Sequence, residues 1–186
     1  MIRTMGPTDA ADFEVLLIGG RSGAGKTSVA YEVSELWQGA GVAHCLIDGD
    51  NLDAAYPKPP DDPDGGTLTE ANLHALWVNY VAVGHRRLIY VNTVSVLERA
   101  MVVRAMGGSA AVHGVLLTAT DETARRRLSE REIGTALGVH LRRSATMAAH
   151  LDGNAEGWVI RVPTDGRLVA DVAALVARVT GWSATD

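Results

Sequence analysis

Apolar residues in this chain occur either in short unbroken runs or at intervals of three and four. The unbroken runs predict buried β-strands and the spaced positions predict amphipathic helices. The unbroken runs predict five strands, at about residues 14–18, 42–47, 87–91, 112–118 and 158–162. Six helices are predicted between and after them, at about 28–39, 67–84, 95–106, 120–131, 140–151 and 168–179. This alternation predicts an α/β domain with a mostly parallel sheet.

Helix ends and loops follow from turn-forming residues. Segments 67–70 and 95–98 each fit a capping box, and Thr120 with Asp121 is expected to cap the fourth helix. Residues 134–139 are expected to be non-helical and to separate two helices. The segment 52–66 is rich in proline and acidic residues, so it is predicted to be a loop on the acceptor side of the site.

Composition narrows the class of protein. The 186 residues are 47 % hydrophobic, which fits one globular domain, with residues 1–12 as a loose tail. A net charge of −5 argues against general binding to nucleic acid or to a membrane surface. Cys45 is the single cysteine, which fits a reducing compartment. Without a signal peptide or membrane-length apolar run, we expect a cytoplasmic protein, as a monomer or homodimer.

Residues 20–27, Gly-Arg-Ser-Gly-Ala-Gly-Lys-Thr, match the pattern G-x-x-x-x-G-K-[ST] between a predicted strand and a predicted helix. Such a loop directs backbone N–H groups at a phosphate, and the helix adds its positive end. Lys26 would contact the outer phosphates and the Thr27 hydroxyl would hold Mg²⁺. The loop therefore predicts binding of a nucleoside triphosphate by Gly20, Arg21, Ser22, Gly23, Ala24, Gly25, Lys26, Thr27 and Ser28.

Asp48 and Asp50 follow the second strand, at the sheet edge where the phosphate loop is also expected. A carboxylate here can accept the proton of an acceptor hydroxyl or hold a Mg²⁺-bound water. Asp-Gly-Asp-Asn is also a common turn sequence, which is the alternative interpretation. Asp48 is favoured as the base because a strand end is held more rigidly than a loop, but Asp50 stays open.

Loop 20–27 and the segment 46–51, Leu-Ile-Asp-Gly-Asp-Asn, resemble the P-loop small-molecule kinases, and adenylylsulfate kinases most closely. The resemblance implies a three-layer fold, ATP with Mg²⁺ held at Thr27 and Asp48, and transfer of the γ-phosphoryl group to a small-molecule hydroxyl. The segments after the third strand and at 133–141 depart from the adenylylsulfate kinase pattern. The layout is equally similar to gluconate kinases, nucleoside monophosphate kinases and chloramphenicol phosphotransferase, so the acceptor stays open.

An arginine cluster follows the fourth strand. Arg127 and Arg131 are four residues apart and so share a helix face, similar to the Arg-x-x-x-Arg arrangement in the lid of nucleotide kinases. The resemblance implies a lid at about 127–150, in which these two arginines cap the phosphates. Arg142 and Arg143 are further candidates. Arg125 and Arg126 fit a solvated face instead.

Three other classes of function compete with a small-molecule kinase. A regulatory GTPase needs a base-reading Asn-Lys-x-Asp segment, which this sequence lacks. A kinase acting on nucleic-acid ends is disfavoured by the acidic balance. An ATP-binding protein without phosphotransferase activity stays open, because the sequence does not identify an acceptor site.

Overall fold

The structure is a computed structural model that describes residues 11–131 and 137–184. Its strands are β1 (Glu14–Gly20), β2 (Cys45–Asp48), β3 (Arg87–Val91), β4 (Ala111–Thr118) and β5 (Ile160–Pro163). Its α-helices are α1 (Lys26–Gly39), α2 (Gly66–Ala82), α3 (Arg99–Ala105), α4 (Asp121–Arg131), α5 (Leu137–Asn154) and α6 (Val169–Thr180). Short 3-10 helices cover Gly49–Asn51 and Ser95–Leu97.

The five strands form one sheet in the order β2-β3-β1-β4-β5, and every neighbouring pair is parallel. The predicted α/β class with a parallel sheet is confirmed. β1 lies at the centre, between β3 and β4. Parallel strands place all their carboxyl ends at one edge, so the segments that follow β1, β2 and β3 meet there.

Successive side chains of β1 alternate between two apolar layers, as the strand repeat of two requires. Leu16 and Ile18 pack in the layer that contains α1 and α6. Val15 and Leu17 pack in the layer that contains α2, α3 and the buried Leu151 of α5. The sheet is therefore covered on both faces, which gives three layers.

Both predicted capping boxes are wrong, since neither Thr67 nor Ser95 caps the helix that it was expected to begin. At α2 the carboxylate of Asp62 accepts hydrogen bonds from the N–H groups of Thr67 and Leu68, at 3.1 and 2.9 Å. This lowers the pKa of Asp62. Ser95 begins a 3-10 helix and makes no capping bond there. Thr120 does cap α4, since its hydroxyl accepts from the N–H of Thr123 at 3.3 Å.

Several boundaries also differ from expectation. The expected break at 134–139 is wrong for residues 137–139, which belong to α5; residues 132–136 lie outside the described part. β2 begins at Cys45 rather than at 42. Cys45 is a core residue, and burial raises the pKa of its thiol to about 12. In the described ranges, no helix combines the length and the apolar character needed to cross a membrane.

Candidate active site

The loop between β1 and α1 forms a cradle suited to an anion. α1 begins at Lys26 with Gly25 as its N-cap, and no side chain caps its first turn. The first N–H groups of a helix lack partners within the helix, and its dipole makes that end positive. Gly23 has a φ of 87°, and a Cβ there would lie 2.9 Å from the backbone of Ala124 in α4. The loop is therefore held close against α4.

A cavity of about 520 Å³ opens beside this loop. The loop contributes Lys26, whose side chain is largely buried, and the exposed Thr27. The segments after β2 and β3 contribute Asp50 and Thr93. The other lining residues are Ser22, Gly23, Gly25 and Ser28 of the loop region, Leu128 of α4, and His140, Arg143, Ser144 and Met147 of α5.

Asp48, the last residue of β2, faces the start of α1. Its Oδ2 accepts a hydrogen bond from the hydroxyl of Thr27 at 3.3 Å, and its Oδ1 accepts from the N–H of Asp50 at 3.1 Å. Both carboxylate oxygens are thus oriented by neighbours. Thr27 and Asp48 bring two oxygen donors together, which is the donor chemistry that Mg²⁺ prefers.

Asp50 takes a different direction from Asp48. Its carboxylate accepts a hydrogen bond from the N–H of Thr93 at 3.3 Å and lines the cavity. The residue between them, Gly49, lies directly on the ring of Tyr90: a Cβ there would be 2.5 Å from the Tyr90 hydroxyl oxygen. Burial, followed by the charges of Glu98 and Asp50, raises the pKa of Tyr90. A side chain at this position would therefore displace either the segment between the two carboxylates or the ring of Tyr90.

The predicted lid region, about 127–150, contains the end of α4 and the larger part of α5. Arg127 donates to the carbonyl oxygens of Gly23 and Ala24 at 3.1 and 3.3 Å. It also donates to the hydroxyl and the carbonyl of Thr164, each at 2.9 Å. These bonds lie on the carbonyl side of the loop, so contact between Arg127 and phosphates stays a prediction. Arg131 ends α4, and its side chain lies outside the described part.

One face of α5 lines the cavity through residues to which sequence reasoning gave little or no role. His140, Arg143, Ser144 and Met147 are spaced three, one and three residues apart, which places them on one side of a helix. This spacing is visible in the sequence and was the signal that could have found them. Arg142 lies outside this group and lines a separate groove.

Arg21 was grouped with the phosphate-loop residues, but its side chain turns away from the loop's anion cradle. Its guanidinium is buried, donates to the Ser144 hydroxyl and forms an ion pair with Asp121. Any contribution of Arg21 to phosphate binding would therefore come from its backbone.

A second, smaller cavity of about 200 Å³ lies on the other side of the loop. It is lined by Gly23, Ala24, Gly25, Ser28, Val29, Arg127, Glu130, Thr164, Arg167, Val169 and Val172. The segment after β5 therefore does not line the main cavity and instead lines this smaller space through Thr164 and Arg167. Hydrogen bonds from Thr123 and Thr120 fix Asp165 beside it and lower its pKa to about 2.

The loop at 52–66 and the first turns of α2 border a third cavity of about 780 Å³. Arg104 there is paired with Glu70, at 2.6 Å between Nη2 and Oε2. Burial, and then the charge of Asp53, raises the pKa of Glu98. The other residues that line this third cavity are Asp62, Asp64, Gly66, Thr67, Ala71, His74, Met101 and Ala105.

Solved structures resemble this arrangement along nearly the whole chain. The tunicamycin resistance protein of Deinococcus radiodurans has a TM-score of 0.61 at 18 % identity, covering 92 % of this chain and 97 % of that one. The APS kinase of Mycobacterium tuberculosis, solved with AMPPNP and APS, has a TM-score of 0.56 at 19 % identity, covering 92 % of this chain and 99 % of that one. A gluconokinase from Sinorhizobium meliloti has a TM-score of 0.57 at 17 % identity, covering 92 % of this chain and 94 % of that one.

The chain has the fold of the P-loop small-molecule kinases. Neither a protein-family model nor a curated protein matches it at the level of sequence. The likeness therefore lies in the path of the backbone. The fold that the resemblance of loop 20–27 and the segment 46–51 implied is confirmed.

Proposed function

We propose that this protein is an ATP-dependent kinase that transfers the γ-phosphoryl group to a hydroxyl of a small molecule. The cavity of about 520 Å³ carries the proposal, because Lys26 and Asp50 both line it. A carboxylate weakens the binding of a phosphate chain through like-charge repulsion. Its place beside a phosphate loop is explained better by the transfer reaction than by nucleotide binding alone.

Lys26 and the N–H groups at the start of α1 would hold the β- and γ-phosphates. Thr27 and Asp48 would hold Mg²⁺, because their oxygens already lie 3.3 Å apart in a hydrogen bond and both are hard oxygen donors. When bound, Mg²⁺ neutralises charge on the phosphate oxygens. The remaining ligands would be phosphate oxygens and water.

We assign the general base to Asp50 and not to Asp48, which the sequence favoured. Asp48 is oriented toward Thr27, whereas Asp50 is exposed and lines the cavity. A base must come within hydrogen-bonding distance of the hydroxyl whose proton it accepts. The hydrogen bond from the Thr93 N–H would hold Asp50 in position for that transfer.

Arg143 and His140 reach the cavity from α5, opposite Lys26 and the loop. A guanidinium there would stabilise the charge that develops on the transferred phosphoryl group. Arg127 would act differently, by joining the loop to the segment after β5. The smaller cavity between them would take the nucleobase, since it begins at the loop and ends among apolar residues of α1 and α6.

The acceptor would enter from the side of the 52–66 loop, where α2, α3 and that loop border the third cavity. The fold alone does not choose among acceptors. The names of the structural neighbours suggest gluconate, adenylylsulfate and tunicamycin as the first compounds to try. Shikimate is the fourth, because the structurally similar shikimate kinase from Acinetobacter baumannii was solved in complex with it.

The test is an ATP-consumption screen of purified protein against those four compounds, nucleosides, nucleotides, and phenicol and aminoglycoside antibiotics. We expect one class to stimulate ATP consumption in the wild type and not in Lys26→Ala. Stimulation by adenylylsulfate would identify an adenylylsulfate kinase, and stimulation by an antibiotic would identify an antibiotic phosphotransferase. Tight ATP binding without consumption under any condition would favour a non-catalytic ATP-binding protein.

The chain offers a matched control for the lysine. Lys58 is the other lysine in the sequence, and it lies on the 52–66 loop bonded to Asp53. Lys58→Ala should retain the ATP affinity of the wild type, as measured by calorimetry, whereas Lys26→Ala should lose it. Retained ATP binding and turnover in Lys26→Ala would refute the role assigned to the phosphate loop.

A further inference from the structure

We infer that Arg21 is a positioning residue that holds α5 over the phosphate cavity. Its side chain is 5 % exposed and reaches two helices at once. Nε donates to the Ser144 hydroxyl of α5 at 2.8 Å, and Nη1 pairs with the Asp121 carboxylate at the start of α4. One guanidinium therefore joins the phosphate loop to both helices of the lid region.

Ser144 completes the connection. Its hydroxyl accepts from Arg21 and donates to the carbonyl oxygen of Ser22, both at 2.8 Å. Ser144 is buried, and these two bonds use its donor and one acceptor position. The N-terminal half of α5 is thus tied to two consecutive residues of the phosphate loop.

The same helix carries further residues that line the main cavity together with Lys26. His140 and Arg143 precede Ser144 by four and one residues and line the main cavity with it. Because a helix is stiff, a shift at Ser144 also moves His140 and Arg143 relative to the phosphates. These three residues lie within about one turn, so the coupling is local to the first half of α5. A displacement of about 1 Å in such groups is enough to lower the rate of transfer by about a hundredfold.

The far half of α5 has a separate anchor. Leu151 is 2 % exposed and packs with the apolar layer beneath α2 and α3, and Met147 packs against that layer. Loss of the Arg21 bonds would therefore free the first half of α5 while the second half stays packed. This effect rests on the proposed function only where turnover is measured.

The test compares Arg21→Met, which keeps the length of the side chain but removes its charge and donors, with Ser144→Ala. Hydrogen exchange followed by mass spectrometry reports order in residues 137–147 whether or not turnover occurs. We expect exchange there to rise about tenfold in both variants, with β1 and β4 unchanged. The double variant should add little to either single one, because both substitutions break one connection.

With ATP and an acceptor identified by the screen, both variants should lose kcat while the KM for the acceptor changes little. Arg126→Met is the matched control, since Arg126 is an exposed arginine on α4, and it should match the wild type. Arg21→Lys keeps a charge near Asp121, so it is the variant to use if Arg21→Met does not fold.

Two results would overturn the inference. One is unchanged exchange in residues 137–147 together with a lower melting temperature, which would give Arg21 only a structural role. The other is a kcat equal to that of the wild type in a variant whose α5 exchanges faster. Absence of turnover in the wild type would count against the proposed function alone, because the exchange measurement would still decide the role of Arg21.

Discussion

The hydroxyl of Thr27 donates a hydrogen bond to Asp48 across 3.3 Å, although the two residues are 21 positions apart. Thr27 is the second residue of α1 and Asp48 is the last residue of β2, so the parallel sheet brings them together at its carboxyl edge. Asp50, two residues later, faces the main cavity. This separation makes the two carboxylates distinguishable by experiment.

Asp50→Asn should lower kcat by about a hundredfold to ten-thousandfold, the usual contribution of a general base. Its ATP affinity should equal or exceed that of the wild type, because the substitution removes a like charge beside the phosphates. Asp48→Asn should instead raise the Mg²⁺ concentration needed for half-maximal rate, because it removes a charged oxygen beside Thr27. Steady-state kinetics across a Mg²⁺ titration measures both effects. The reverse pattern would return the base to Asp48.

Gly49→Ala should destabilise the fold by about 1–3 kcal/mol, the usual cost of overpacking. The new Cβ would lie 2.5 Å from the hydroxyl oxygen and 2.7 Å from two ring carbons of Tyr90. Urea unfolding followed by circular dichroism measures the change. Gly157→Ala is the control, since a Cβ there meets nothing within 4 Å. Equal free energies of unfolding for the two variants would contradict the close contact.

Arg127→Ala should weaken ATP binding more than it lowers kcat, because its bonds join the phosphate loop to Thr164. The carbonyls of Gly23 and Ala24 would lose a charged donor, and each such bond contributes about 1.5–3 kcal/mol. Calorimetric titration with ATP gives the affinity. Arg126→Ala, an exposed neighbour, serves as the control. A fall in kcat at unchanged affinity would support the phosphate-capping role that the sequence predicted.

Asp165 should stabilise the protein in a pH-dependent way. Hydrogen bonds from Thr123 and Thr120 lower its pKa from 3.8 to about 2 in the folded state. A carboxylate with a lowered folded pKa contributes its full stability above its unfolded pKa and loses it as the pH falls through the folded value. The advantage of the wild type over Asp165→Asn should therefore hold above pH about 4 and vanish toward pH 2.

Melting temperatures of the two proteins from pH 7 to pH 2 test this prediction. Thr123→Val keeps the shape of the side chain and removes the largest contribution to the lowered pKa. At neutral pH, Thr123→Val should therefore show part of the decrease in melting temperature that Asp165→Asn shows. An advantage of the wild type that is independent of pH would assign the effect to packing.

The sequence by itself determined the class of fold and the place of loop 20–27 between β1 and α1. Both depend on neighbours along the chain: apolar runs of strand length, helical spacing, and the contiguous residues 20–27. The cap at Thr120 is equally local. Asp48 and Asp50 could be placed at the same sheet edge because a parallel sheet aligns the ends of its strands.

Only the tertiary structure decided which groups these residues meet. Asp62 replaces the expected cap at Thr67 because the loop before α2 folds back onto the helix start. Arg21 leaves the anion cradle because Asp121 and Ser144, 100 and 123 positions away, offer partners to its buried guanidinium. Such contacts depend on how helices lie on the sheet, and no local pattern of residues contains that information.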